Sequence, residues 1–304
     1  MKNLEVNIAG VNLKNPFMPA SGTAAYGQSL AKQINLDDLG ALVIKSTTLN
    51  KKTGHPEPTT VQTSAGWLNA VGLKNPGIEE VEKEQLPWLA ENYPNLPVIG
   101  SVAGDTTEEY IEVAKRMDNI ANISILEINI SCPNVANGGI EFGVEPSVVE
   151  ELTRRIKDVT TKPVFMKLGP GVTSIVEIAA AAERGGCDGL TMINTIMGME
   201  IDLNTRKPHL SNGTGGLSGR AIHPIAVRMI YQVRQQTKLP IIGVGGIFTA
   251  EDALELMLAG ANAVQVGSAR YGNPRVIEEL IETFPSKMKE YHLGDINDIK
   301  QYWN

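Results

Sequence analysis

The sequence predicts an α/β protein, a single-domain (β/α)8 (TIM) barrel over residues 1–304, on three observations. Short apolar runs alternate with amphipathic segments along the whole chain, the pattern of βα units around a parallel sheet. Eight such runs are present, and polar residues or glycines stand at the C-terminal ends of seven of them. Two connections, 46–76 and 195–220, are too long for plain turns. Both follow a strand, so in a barrel both lie on the C-terminal face, where ligands bind. An open doubly wound sheet is the alternative; no linker, repeat or low-complexity tract divides the chain.

The strands are expected at 17–20, 41–45, 97–101, 123–130, 163–168, 189–193, 240–244 and 263–266. Before the first, segments 4–8 and 11–13 flank Ala9-Gly10 as a small hairpin, which would plug the bottom of a barrel. Helices start where a capping residue or an early proline permits: Asp105-Thr106-Thr107, Glu145-Pro146-Ser147, Thr173-Ser174 and His223-Pro224. The clearest helix spans 249–258, with Ala250, Ala253, Leu254, Met257 and Leu258 on one stripe. Thr249 and Asp252 open it as a capping box, and Gly260 ends it.

Lys and Arg number 27 against 34 Asp and Glu, a net charge of −7, and no basic run occurs. That argues against nucleic acid as a partner, since phosphate neutralisation needs a basic surface. No apolar stretch approaches the roughly 20 residues of a membrane span. The opening MKNLEVNIAG lacks a signal-peptide core, so the expected location is cytoplasmic. Two cysteines, Cys132 and Cys187, cannot hold an iron–sulfur cluster or a four-cysteine zinc site, and the four histidines are scattered. No metal is expected, and redox chemistry on this chain would need an organic cofactor.

The strand ends carry the functional signal. They read Ala20-Ser21-Gly22, Lys45-Ser46, Asn129 with Ser131-Cys132-Pro133-Asn134, Lys167, Asn194-Thr195, Gly245-Gly246 and Gly267-Ser268. One lysine ending an apolar strand would ordinarily turn to solvent; two, in ALVIKS and VFMKLG, point to an anionic or electron-rich ligand. Glu127 shares the parity of Asn129, so it either faces inward and pairs with a lysine or stands on an irregular outer face. GVGGIFTAEDA and VQVGSAR are strand–glycine–helix turns, the places where barrels bind phosphate, although such glycines also serve plain tight turns. Phe248 stands where a dinucleotide fingerprint needs glycine. The glycine-rich 212–219 reads either as a linker or as backbone that approaches a flat ligand. Cys187 opens the apolar run CDGLTMI and suits a core, whereas Cys132 sits in a polar loop fit for a base or nucleophile.

Taken in order, ASGTAAYG, VIKSTT, NAVGLKNPG, INISCPNVANGGIEFG, MKLGPGV, GLTMINT, EIDLNTRKP, GGLSGRAI, IIGVGGI and VQVGSA resemble the dihydroorotate dehydrogenases. The resemblance runs from about residue 4 to residue 300. It implies oxidation of (S)-dihydroorotate to orotate in pyrimidine biosynthesis, with FMN bound to this chain. Val135-Ala136-Asn137-Gly138-Gly139 after the Ser-Cys-Pro-Asn motif is similar to the NAD-linked class, although Ala136 stands where that class commonly has lysine. That class implies a homodimer of this chain assembled with two electron-transfer subunits carrying FAD and a 2Fe–2S cluster. The alternative is a stand-alone homodimer that reduces fumarate. Two further readings are a flavin barrel acting on tRNA, which the acidic balance disfavours, and a non-catalytic phosphate-binding barrel.

Carried over by resemblance, the flavin phosphate falls on Gly245, Gly246, Gly267 and Ser268. The rest of the flavin falls on Ser21, Lys45, Ser46, Asn129, Lys167, Ile193 and Gly219. Ser101 stands where the family often has asparagine, and is included as a flavin contact. Substrate contacts fall on Lys45, Asn69, Ala70, Val71, Gly72, Leu73, Asn129, Asn194 and Thr195. The resemblance makes Cys132 the base that removes the C5 proton, with Lys45 also in the catalytic set.

Overall fold

A computed structural model describes residues 4–131 and 142–303. Cys132 and the stretch 135–139, on which the base and the subclass expectations rest, lie outside the described residues. Eight parallel strands form the barrel: β1 (Phe17–Pro19), β2 (Leu42–Val43), β3 (Val98–Val102), β4 (Ile123–Asn129), β5 (Val164–Leu168), β6 (Gly189–Met192), β7 (Ile241–Val244) and β8 (Ala263–Val266). The hydrogen-bonded order runs β1-β8-β7-β6-β5-β4-β3-β2. The remaining gap between β1 and β2 is spanned where Gly40 N–H donates to Phe17 O at 2.9 Å. All eight strands lie where the apolar runs place them, and most are one to three residues shorter.

Helices follow the strands in turn: α1 (Gln28–Ala31), α2 (Leu86–Asn92), α3 (Thr107–Asp118), α4 (Pro146–Lys157), α5 (Ile175–Arg184), α6 (His223–Arg234), α7 (Ala250–Ala259) and α8 (Val276–Glu290). Side-chain oxygens of Thr106 and Ser174 accept from the amides of Glu109 and Glu177, and α7 opens with the Thr249–Asp252 capping box. The stripe on α7 differs from expectation in its last turn, where Leu256 and Ala259 join the buried set and Leu258 leaves it. Leu256 is fully buried and Leu258 is 38% exposed. α7 is flanked by α6 on one side and α8 on the other, so its buried face widens and centres on Ala253 and Met257.

The interior is layered. Met18, Val43, Ile99, Ile125, Phe165, Ile242 and Ala263 fill the lower barrel, and the hairpin Val6–Ile8 with Val11–Leu13 closes it from below through Ile8 and Leu13. Gly189 is required at this level, because a Cβ there would stand 2.3 Å from the Phe165 ring.

The two long connections contain unexpected structure. Ile196–Gly198, Gly215–Ser218, Gly66–Asn69 and Thr60–Thr63 pair in that order as a four-stranded antiparallel sheet. Register Gly216↔Asn69 and Leu217↔Leu68 joins segments about 150 residues apart, which local pattern does not reveal. The stretch 212–219 is therefore partly a central strand rather than a linker.

Candidate active site

Side chains alternate along a strand, so each inward position is followed two residues later by another. On β4 the inward row is Ile125, Glu127 and Asn129; on β5 it is Phe165 and Lys167. The apolar floor thus gives way to polar residues one step higher. Lys167 Nζ lies 3.2 Å from Glu127 Oε1 and 3.3 Å from Gln265 Oε1. Gln265 Nε2 donates to Glu127 Oε2 at 2.6 Å, closing a triangle under the rim. Glu127 therefore faces inward and pairs with a lysine, one of its two expected placements. Gln265 was not singled out from the sequence, although its parity between Ala263 and Gly267 on VQVG was the available signal.

A second network lies at the β1–β4 rim. The hydroxyls of Ser21 and Ser46 are 3.1 Å apart, and those of Ser46 and Ser101 are 2.9 Å apart. Asn129 Nδ2 donates to Ser46 Oγ at 3.2 Å. Ser101 is placed apart from the other expected contacts. It is fully buried, and its hydroxyl is held by Ser46 and Ser21, so it stands one layer behind the cavity wall as a brace. A serine is too short to reach past them. Asn194 Nδ2 donates to Ser131 Oγ at 2.5 Å and reaches Asn129 Oδ1 at 3.3 Å, which joins the ends of β4 and β6.

Above these networks two adjoining cavities open beneath the small sheet. One is walled by Lys45, Ser46, Asn129, Asn194, Thr195 and the segment 69–73, with Met197 and Thr214 at its edge. The other runs from Ser21, Lys167 and Ile193 past Gly219 to Gly245, Gly246, Gly267 and Ser268. They share Ser21, Lys45, Asn69, Val71, Lys167, Asn194 and Thr195 as walls, which makes one long site with an asparagine end and a glycine end. The structure thus brings together every expected cofactor or substrate contact except Ser101. Thr23, Ile222 and Tyr271 also line the glycine end and were not anticipated. Tyr271 packs edge-on against Trp67 at 5.2 Å, tying the turn after β8 to the small sheet.

Gly246 sits at φ +66, and a Cβ there would lie 2.6 Å from His223 Cβ. The backbone can fold this tightly only with glycine. Asp252 takes the amides of Phe248 and Thr249, the two residues before α7, at 2.8 Å each, which fixes the chain between the glycine turn and the helix. Cys187 is buried, and burial pushes its thiol up to about 12, in keeping with a core role. Among the described residues no group of His, Cys, Asp and Glu could hold a metal ion, and no helix is long and apolar enough to cross a membrane.

The sequence profile described as dihydroorotate dehydrogenase matches residues 3–288. A chain from Pediococcus pentosaceus is 67% identical over 300 residues, covering 98% of this chain and 99% of its own; its name, dihydroorotate dehydrogenase A (fumarate), is provisional. The dihydroorotate dehydrogenase A (fumarate) of Lactiplantibacillus plantarum is 60% identical over 301 residues, covering 99% of each chain. The dihydroorotate dehydrogenase B (NAD(+)), catalytic subunit, of Anoxybacillus flavithermus is 52% identical over 305 residues, covering 100% of this chain and 97% of its own. With a profile that spans nearly its whole length and relatives this similar from end to end, the chain belongs to the dihydroorotate dehydrogenase family.

Proposed function

We propose that this chain binds FMN and oxidises (S)-dihydroorotate to orotate, a step of pyrimidine biosynthesis, with fumarate as the electron acceptor. The observation that carries this reading is the single long cavity with a glycine end and an asparagine end. The donor set fits a flavin nucleotide. Glycine turns at Gly245-Gly246 and Gly267 leave room for a phosphate, Ile193 offers an apolar face, and Lys167 brings a cation to the middle of the wall. Bound there, FMN would supply a two-electron acceptor for hydride.

The chain's own residues do the rest. Asn69, Asn129 and Asn194 both donate and accept without charge, which suits the amides and carboxylate of a pyrimidine ring. Lys45 on the shared wall supplies positive charge to the substrate carboxylate. Lys167 on the same wall would supply a cation to offset negative charge on a bound flavin. Cys132 Sγ takes the C5 proton as C6 loses hydride, so substrate loses two hydrogens in all. The shared wall of the two cavities would hold substrate next to bound FMN and so supply the proximity that this transfer needs.

Fumarate as acceptor is supported by the names of relatives at 67% and 60% identity. It replaces, as the preferred reading, the NAD-linked assembly expected from the loop after Cys132. NAD as acceptor, with FAD and a 2Fe–2S cluster on a partner subunit, stays as a second reading because a relative named as the NAD(+) catalytic subunit is 52% identical. An anaerobic visible spectrum tests both. The flavin band near about 450 nm should bleach on adding dihydroorotate and return on adding fumarate alone. Return only with NAD and a co-purified partner favours the second reading. A colourless chain that takes up no added FMN refutes the proposal.

A further inference from the structure

We propose that Arg270 supplies the positive charge for the phosphate of the bound nucleotide, acting from behind the wall at the glycine end of the cavity. This rests on the flavin nucleotide reading above.

Arg270 is 8% exposed. One terminal nitrogen donates to Thr23 O, and its buried Nε has no hydrogen-bond partner among the described residues. It forms no ion pair among the described residues. A guanidinium stays protonated in proteins, so this is a buried cation lacking both a counter-charge and a full set of acceptors.

Arg234 is the internal control. It too is buried without a carboxylate partner among the described residues, yet its guanidinium donates to Gly260 O, Thr237 O and Asn262 Oδ1 and lies over the Trp303 ring. Arg234 is satisfied within the fold; Arg270 is not.

The place of Arg270 says what it awaits. Ser268, Ala269 and Tyr271 of its own segment line the cavity, and so does Thr23, whose carbonyl it holds. The charged residues in that wall are Lys45 and Lys167, and both belong to the stretch shared with the asparagine end. Lys167 is already compensated by Glu127. A phosphate among Gly245, Gly246, Gly267 and Ser268 would therefore meet no cation in its immediate wall, and Arg270 stands directly behind that wall. Charge acts through low-dielectric protein with little screening, so direct contact is not needed.

The test compares FMN with riboflavin, which lacks only the phosphate. Apo-protein is titrated with each flavin by fluorescence quenching, for wild type, Arg270→Gln and Arg270→Lys. Arg270→Gln should lose about tenfold or more in FMN affinity and keep riboflavin affinity within about twofold. Arg270→Lys should recover most of the loss, and added salt should weaken FMN binding more in wild type than in Arg270→Gln. The apo Arg270→Gln chain should melt no lower than wild type, because an unpaired buried charge has been removed. Equal loss for both flavins, no loss for FMN, or an Arg270→Gln chain that fails to fold each overturns the proposal, the first and last in favour of a brace on Thr23. Wild type that binds neither flavin instead overturns the function proposed above.

Discussion

Lys167 Nζ stands 3.2 Å from Glu127 Oε1 inside the barrel, with the two side chains 6% and 0% exposed. Gln265 bonds both partners, so the pair sits in a closed set of hydrogen bonds rather than as two bare charges. Only Lys167 of the three reaches the cavity. Glu127 and Gln265 thus fix from below where its ammonium is presented.

Removing one member of such a pair strands the other. Glu127→Leu should cost about 3–5 kcal/mol of stability, while the double variant Glu127→Leu/Lys167→Met should cost less than the single one. Urea denaturation of the two variants beside wild type measures this. A double variant less stable than Glu127→Leu would show that Lys167 is not left unpaired by the single change.

Lys167→Ala tests the other half of the relationship. It removes the cation from the middle of the wall, so the variant should bind FMN about tenfold more weakly or be reduced about tenfold more slowly by dihydroorotate. Equilibrium titration and stopped-flow bleaching separate the two effects. Unchanged affinity together with an unchanged rate removes Lys167 from the site.

Cys132→Ser should retain bound FMN and lose most turnover. A serine hydroxyl is a much weaker base than a cysteine thiolate at neutral pH, while the proposed flavin contacts lie on other residues. The flavin spectrum reports retention, and anaerobic bleaching by dihydroorotate reports the half-reaction. Bleaching at the wild-type rate would assign the proton to another group.

Much of this was legible in the sequence, for identifiable reasons. A strand buried on both faces must be nearly all apolar, so runs such as PVFMKL and AVQV stand out, and the polar residue or glycine at or just past the end of most of them marks the rim. Thr106, Ser174 and Thr249 marked helix starts because a cap is a local contact. What failed was non-local. The strand Gly215–Ser218 has no strand-like composition and exists because Gly66–Asn69 pairs with it across the chain. Gln265 looks like an ordinary polar residue until the barrel places it against Glu127. Ser101 is at the rim by sequence, yet its short side chain leaves it behind Ser21 and Ser46. The NAD-linked expectation rested on 135–139, which lie outside the described residues, whereas relatives at 67% and 60% identity carry fumarate-linked names.

Cys187 links burial to pH. Its thiol is pushed by burial from 9.0 to about 12, while the unfolded chain's thiol ionises near the lower value. The protonated form is therefore favoured by folding. This contribution is fully present below pH 9 and is lost as pH rises from there toward 12. Over that window wild type should lose stability faster than Cys187→Ala, by up to about 1.4 kcal/mol per pH unit. Tyr26, raised by burial from 10.0 to about 12, titrates in both proteins and cancels from the comparison. Urea midpoints at several pH values between 8 and 11 give the two slopes, and iodoacetamide at pH 8 should leave Cys187 unlabelled until the chain unfolds. Parallel slopes, or fast labelling of Cys187 in the native protein, would show that water reaches this thiol between α5 and β6 and that its burial is not maintained in solution.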